Sequence, residues 1–517
     1  MDLSHPTHQP LKPGQEVSTT AEILNYAART YPDKVGLIDG SRSWTFSELD
    51  GLTNQFAHGL VDLLSSRDGR VGILGKNSVE YVIAHFGIAR TCRCSVNLPT
   101  RCTADELAFA VNLTNPVVLI VDDDSRELAE TAHVQFEVVP ESIGTGNFWE
   151  FLNPHPGTAI DVSIDPDAEG SVIFTGGTTG QPKAVLSSQR ARAVSAMAGV
   201  EDFRISSDIV AGYSVPFTHT AGLFSWFQPA VLAGCTGVII PKWDPELFMD
   251  LTEEHGINMT FAVPAQLATL LNHPSFKPDR LRSLKRLVFG GAPLSRTLIE
   301  RAEEAMPWME CARAYGSSET GHLTAQIKAD RDVVYDGYNQ PGGRLEIEIF
   351  KEPGVVAEVG EIGEVATRGQ HLMSGYLHNE AAQTEFFKSD ITDGDWGWMG
   401  DLAVKHGRYF SLAGRSKHMI LSGGLNIFPT ELEEILSAHP DVADCAVFGI
   451  DDPVWGELPV AAVKPTDDTA DEENIMMFVA GQVARYKRIR KIYFVDQIPR
   501  TVAGKIQVYR VKEKCLA

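Results

Sequence analysis

The chain has 517 residues, too many for one hydrophobic core, so two or more domains with a large buried interior are expected. Its 43% hydrophobic and 22% charged residues suit a globular protein, and a formal net charge of −23 argues against general binding to nucleic acid or an anionic membrane surface. Seven cysteines form no CxxC pair, and Cys92, Cys94 and Cys102 beside His85 fit no zinc spacing, so reduced thiols in a cytoplasm are expected.

Residues 1–19 are polar and lack the apolar core of a secretory signal, so the sequons at Asn112 and Asn258 carry little weight. From Thr20 the pattern reads helix (21–31), hairpin (35–46), helix (47–64), strand (70–74) and helix (79–90). Leu49, Leu52, Phe56 and Leu60 fall at helical spacing, with Thr45 or Ser47 placed to cap. Thr103 opens another helix, and 117–121 is a mostly β-branched run suited to a strand buried on both faces. Alternating strands and helices imply a largely parallel, doubly wound sheet.

Two apolar runs, 172–174 and 184–186, read as strands joined by Thr175-Gly-Gly-Thr-Thr-Gly-Gln-Pro-Lys183. Gly176, Gly177 and Gly180 let successive N–H groups converge on an anion, Thr175, Thr178 and Thr179 add hydroxyl donors, and Lys183 adds positive charge. It is not the Walker pattern, because Lys183 follows Pro182 and precedes Ala184. The apolar window 221–240 holds Gln228, Pro229 and three glycines, so it reads as a buried helix followed by a strand at 236–240, not a membrane span. Phe261-Ala-Val-Pro264 and Leu287-Val-Phe-Gly-Gly-Ala-Pro293 each read as a strand running into a turn, where open α/β sheets bind ligands. Runs at 345–350, 363–367 and 409–412 are strand-like with glycine turns between. Farther on, a helix over 430–438 is expected, capped by Thr430 with Glu433 in the capping-box position, and the rest is a compact α+β unit of about one hundred residues. From 474 to 517 ten Lys or Arg stand against Asp496 and Glu513, a balance of +8 inside an acidic chain.

The 175–183 loop resembles the signature of adenylate-forming enzymes, the superfamily of acyl-CoA synthetases, peptide-synthetase adenylation domains and luciferases, and further matches recur in order along nearly the whole chain. The fold implied is α/β: a large N-terminal domain (1–415) of doubly wound sheets plus a small β-barrel, then a mobile α+β C-terminal domain (416–517), with a hinge near 415–418 at Lys417. Pro216-Phe-Thr-His219 resembles an element whose His lies against the carboxylate-binding cavity, making His219 a substrate-positioning candidate. Ala314-Tyr-Gly-Ser-Ser-Glu319 resembles a Tyr-Gly-x-Thr-Glu element. By that likeness Tyr315 stacks on adenine, Gly316 admits the acyl group, Ser318 beside Ser317 donates to the α-phosphate, and Glu319 helps hold Mg²⁺, for which one carboxylate suffices. Gly291 and Ala292 would border the nucleotide, while Phe261, Gly290, Ala314 and Gly316 would form an acyl pocket for an aryl or bulky alicyclic acid.

Asp401 matches the position that accepts from both ribose hydroxyls, and Arg415 would touch ribose or α-phosphate. Gly423 and Gly424 match a loop that faces the pantetheine arm in the second half-reaction. Trp455, Arg488 and Arg490 are candidate CoA contacts, and Lys505 of Pro499-Arg-Thr-Val-Ala-Gly-Lys505 matches the catalytic lysine. The resemblance implies ATP, Mg²⁺ and CoA as cofactors and a carboxylic acid as substrate, with no nucleic acid or membrane partner and a monomeric or homodimeric enzyme.

Gly176, Gln189, Met399 and His418 depart from the commonest family residues, and Gln189-Arg190 resembles the chlorobenzoate-CoA-ligase-like members. Transfer to a carrier protein, specialisation for thioester formation, and a non-catalytic nucleotide-binding relative stand as alternatives.

Overall fold

The computed structural model describes residues 11–12, 14–64, 69–132, 145–175, 182–292, 296–326, 337–338, 345–389, 391–392, 394–407, 409–467, 469–500 and 505–516. Two mainly parallel sheets form the larger part. In the first, the strands run in space Gly321–Gln326, Glu310–Ser317, Arg286–Phe289, Met259–Ala262, Val210–Tyr213, Thr236–Ile239, Val35–Asp39, Arg42–Thr45. The six inner strands are parallel and the two edges pair antiparallel. In the second the order is Gly375–Tyr376, Lys183–Ser188, Glu169–Thr175, Ser95–Asn97, Val71–Leu74, Val118–Val121. There the last four are parallel, and the first two are antiparallel additions at one edge.

Helix Val79–Arg90 shows why the two sheets form one body. Every one of its residues is buried, and one apolar cluster joins it to Val71 and Ile73 of one sheet and Ala211 and Tyr213 of the other. A helix apolar on all sides must be covered on all sides. Its start is set by Ser78, whose side chain accepts from Tyr81 N–H. Thr45 with Glu48 and Thr103 with Glu106 form complete capping boxes at two other helix starts. The apolar window after His219 is a short helix, a π-helical turn over Leu223–Phe227 and the helix Gln228–Leu232, leading to strand Thr236–Ile239. Among the described residues no helix is long and apolar enough to cross a membrane.

A third, antiparallel sheet contains Leu345–Glu352, Ile362–Gly369, Gly397–His406 and Tyr409–Arg415, and occupies the expected barrel region. Its edges are Val355–Val356 and Gly337–Tyr338, and no pairing among the described residues closes it. A fourth sheet, built on the long hairpin Val442–Asp452 and Gly456–Pro465 with Ile420–Ser422, Leu425–Ile427 and Ile492–Phe494, has its own apolar cluster.

One local expectation is corrected here. Helix Pro429–Ser437 begins with Pro429 in its first turn and Phe428 as cap, with no side-chain cap bond. The Thr430 hydroxyl instead donates to Ala413 O at 2.6 Å, and the Glu433 carboxylate accepts from Val447 N–H at 2.9 Å. Both side chains serve tertiary contacts, which outcompeted the local cap that the same spacing suggests.

Candidate active site

The strand ends carry the site. Strand Glu310–Ser317 ends in a tight turn: Ser317 N–H donates to Thr320 Oγ1 at 3.1 Å and Glu319 N–H to Ser317 Oγ at 3.2 Å. The chain then reverses at Gly321, in the left-handed region at φ +67°, and pairs back with Gly316 opposite His322. A Cβ on Gly316 would lie 2.1 Å from the Gly321 carbonyl oxygen, so only glycine fits. Glu319 is held from outside the turn as well. Its carbonyl accepts from Met373 N–H at 2.8 Å, and Tyr376 donates its phenol to Oε1 at 2.7 Å. Lys183 Nζ lies 5.0 Å from the centre of the Tyr376 ring, so the end of strand Lys183–Ser188 and Glu319 share one partner. Thr175 pairs directly with Lys183. Gly176, Gly177, Thr178, Thr179 and Gly180 lie outside the described residues.

A second group forms where the third sheet meets this strand. Asp401 pairs in register with Arg415, whose Nε meets Oδ1 at 2.7 Å, while Tyr315 donates to Oδ2 at 2.8 Å. Burial pulls the Arg415 pKa down, but Asp401, Tyr315, Glu319 and Tyr376 together outweigh it and the guanidinium ends above its usual value. The Tyr315 ring meets Phe410 edge-on at 5.9 Å. Ser318 is partly buried within the Glu319 turn.

Lys505, from the far end of the chain, lies within range of the charges of this group. Burial lowers its pKa, Arg415 lowers it further, and Glu319 and Asp401 oppose them. Lys505 itself is exposed, so these charges act on it partly across solvent. His219 is near the same lysine. Its pKa is pushed down to about 4, by burial first and then by the charges of Arg101 and Lys505, so its ring is neutral at pH 7.

The acyl-pocket candidates also converge. A Cβ on Gly290 would meet Phe261 Cζ at 2.6 Å and the Ala314 carbonyl oxygen at 3.3 Å. Gly291 follows at φ +83°, with Ala292 after it. Behind this wall His322 Nε2 donates to Asp202 Oδ2 at 2.7 Å, with both side chains buried.

The thiol-side candidates lie in the turns and loop that flank the strands of the fourth sheet. Gly423 and Gly424 have φ of +58° and +79°, and Gly423 N–H donates to Trp455 O at 2.7 Å. Trp455, Leu421, Leu425 and Val454 are exposed, as are Arg488 and Arg490. Lys417 pairs with Glu385 at 2.6 Å, both side chains open to solvent.

Sequence reading missed Tyr376, whose partners Glu319 and Lys183 are far from it in the chain, and the Asp202–His322 pair. No local signal marks Tyr376, because the pairing of its short strand Gly375–Tyr376 with the strand that carries Lys183 sets its place.

A carboxylate with one oxygen on a phenol that also carries Lys183 over its ring, and within range of the Lys505 charge, suits Mg²⁺ with polyphosphate. Among the described residues no cluster of three or more His, Cys, Asp or Glu side chains could hold a metal by itself. This fold and cleft define an enzyme that activates a carboxylic acid with a nucleotide.

The AMP-binding enzyme family matches residues 24–377 and the AMP-binding enzyme C-terminal domain matches 431–505, and the chain belongs to that family, in its CoA-ligase branch. It is 30% identical over 506 residues to the indoleacetate–CoA ligase of Aromatoleum aromaticum, covering 95% of this chain and 97% of that one. To a feruloyl-CoA synthase of an Amycolatopsis species it is 28% identical over 493 residues, covering 94% and 97%. In structure it is similar to the anthranilate CoA ligase AuaEII in complex with anthranoyl-AMP, with a TM-score of 0.87, 23% identity and coverage of 100% of this chain and 99% of that one. The chain is an ATP-dependent, AMP-forming acid–thiol ligase, an acyl-CoA synthetase using ATP, Mg²⁺ and CoA.

Proposed function

We propose that the acid is an aryl or bulky alicyclic carboxylate, and that its carboxylate oxygen attacks the α-phosphorus of ATP, expelling pyrophosphate and leaving an acyl-adenylate. The observation that carries this reading is the cluster in which Asp401 holds Arg415 at 2.7 Å and Tyr315 at 2.8 Å beside the Glu319 turn, with Lys505 within range of its charges. In this reading Asp401 holds the ribose, Tyr315 the adenine, and Arg415 the ribose or α-phosphate. Ser318 and the 175–183 loop donate to phosphate. Lys505 bridges the two reactants as a cation, and removing one such preorganised donor typically costs about 10²–10³ in rate. Glu319 would hold Mg²⁺, which when bound offsets triphosphate charge. His219, neutral at pH 7, orients the acid carboxylate without adding a charge that would weaken its attack.

In the second half-reaction the CoA thiol, having lost its proton, attacks the adenylate's carbonyl carbon and AMP leaves. The small domain (416–517) turns about Lys417, moving Lys505 away and bringing Gly423 and Gly424 to the site, where glycine leaves room for the pantetheine arm. Trp455, Arg488 and Arg490 would then meet CoA. The apolar wall of Phe261, Gly290 and Ala314 supports a flat or bulky acyl group over a charged one.

The test is a panel of aryl, alicyclic and straight-chain acids with ATP and Mg²⁺, each offered CoA or a holo-carrier protein, following pyrophosphate and thioester mass. Turnover of aryl or alicyclic acids with CoA is expected. Turnover confined to straight-chain acids, or to the carrier, contradicts the corresponding part.

A further inference from the structure

Near Lys505 the chain is tied to the fourth sheet by apolar contacts and by the Arg500 side chain. Arg500 and Ile506 form an isolated antiparallel bridge, and Gln507 N–H donates to Pro499 O at 2.9 Å, so Lys505 directly precedes the residue paired with Arg500. Ile498 and Ile506 pack with Ala446, Phe448 and Val460. Such apolar contact holds the residues on either side of Lys505 but is non-directional.

Direction comes from Arg500. Its Nη2 donates to Asp444 Oδ1 at 2.6 Å and its Nε to Oδ2 at 3.2 Å, a two-pronged fork that fixes orientation as well as distance. Asp444 lies on strand Val442–Asp452 where the pairing register shifts. Behind it Glu433 of helix Pro429–Ser437 accepts from Val447 N–H, near enough for the Arg500 charge to act on its carboxyl. The same helix reaches the large domain, where Thr430 donates to Ala413 O, two residues before Arg415. Arg500 therefore stands between the helix that docks on the large domain and the lysine that enters its cleft. Both members of the fork are one-third exposed, so it contributes little to stability. Its consequence is geometric, because Lys505 is a flexible four-carbon stem whose reach depends on how its base is turned.

We infer that Arg500, forked onto Asp444, is a positioning residue for Lys505 in the adenylation half-reaction, an inference that rests on the role of Lys505 given above. Arg500→Ala is expected to lower kcat for pyrophosphate release by about tenfold to a hundredfold, the scale of a reactive group displaced by an ångström. The KM for ATP should stay within about twofold, and conversion of supplied acyl-adenylate to thioester should be unchanged. Arg500→Lys keeps the charge without the fork and should fall between. Reversal of the pair, Arg500→Asp with Asp444→Arg, should recover part of the loss.

Pyrophosphate release within about twofold of the parent enzyme overturns the inference, as does an equal fall in both half-reactions with a lowered Tm. Lys505→Ala, measured in parallel, separates the two layers. If it abolishes pyrophosphate release while Arg500→Ala does not, the Arg500 role alone falls; if Lys505→Ala leaves release intact, the reading beneath it falls too.

Discussion

Tyr376 donates a 2.7 Å hydrogen bond to Glu319, across 57 residues of sequence, and carries Lys183 over its ring. The phenol thus ties the turn after strand Glu310–Ser317 to the strand that leads out of the phosphate loop. It occupies one oxygen of Glu319, the carboxylate proposed to hold Mg²⁺.

Tyr376→Phe removes this bond and keeps the ring. A hydrogen bond to a charged group contributes about 1.5–3 kcal/mol, so roughly a tenfold rise in the Mg²⁺ concentration for half-maximal pyrophosphate release is expected. Titration of Mg²⁺ at fixed ATP checks it, and an unchanged midpoint would show that Glu319 is oriented without the phenol.

Gly316→Ala tests the turn itself. The new Cβ would meet a backbone oxygen at 2.1 Å, not the movable tip of a side chain, so the Gly321 reversal and Glu319 must shift. Adenylation should fall about a hundredfold, the scale of an ångström's displacement. Single-turnover pyrophosphate release reads the effect, and near-parental rates would mean that the turn yields without moving the carboxylate.

Much of this was legible locally. Thr45 with Glu48 and Thr103 with Glu106 announce helix starts because a capping box is completed within four residues. Helix Val79–Arg90 follows from Ser78 and a long apolar run. At Thr430 and Glu433 the same spacing misled, since each side chain found a stronger partner elsewhere: Ala413 of the third sheet and Val447 of the fourth. Tyr376 was hidden for a related reason, its partners being set by strand pairing and not by its neighbours. Glu319, Asp401, Arg415 and Lys505 were marked by motifs, yet their convergence is a property of the sheets that carry them.

Acid should destabilise the fold through two buried histidines. Burial, aided by the Arg192 charge, pushes His85 down to about 3, and burial alone does the same to His371. Below pH 6.5 the unfolded chain binds protons that the folded one refuses, so stability rises with pH across this window and is fully present above it. Every tenfold loss of proton affinity on folding corresponds to about 1.4 kcal/mol. Urea unfolding between pH 4 and pH 8 should therefore show stability falling as pH drops through about 6, with a shallower fall in His85→Gln. Equal slopes in both proteins would contradict the assignment to His85.

The central claim is that Lys505 reaches the cleft of Glu319, Asp401 and Arg415 to drive adenylate formation and leaves it for thioester formation. The most direct measurement is the two half-reactions of Lys505→Ala taken separately: pyrophosphate release from acid and ATP, and thioester formation from synthetic acyl-adenylate and CoA. The account predicts that the first falls by about 10² or more while the second proceeds at the parental rate. Loss of both, or retention of the first, would contradict it.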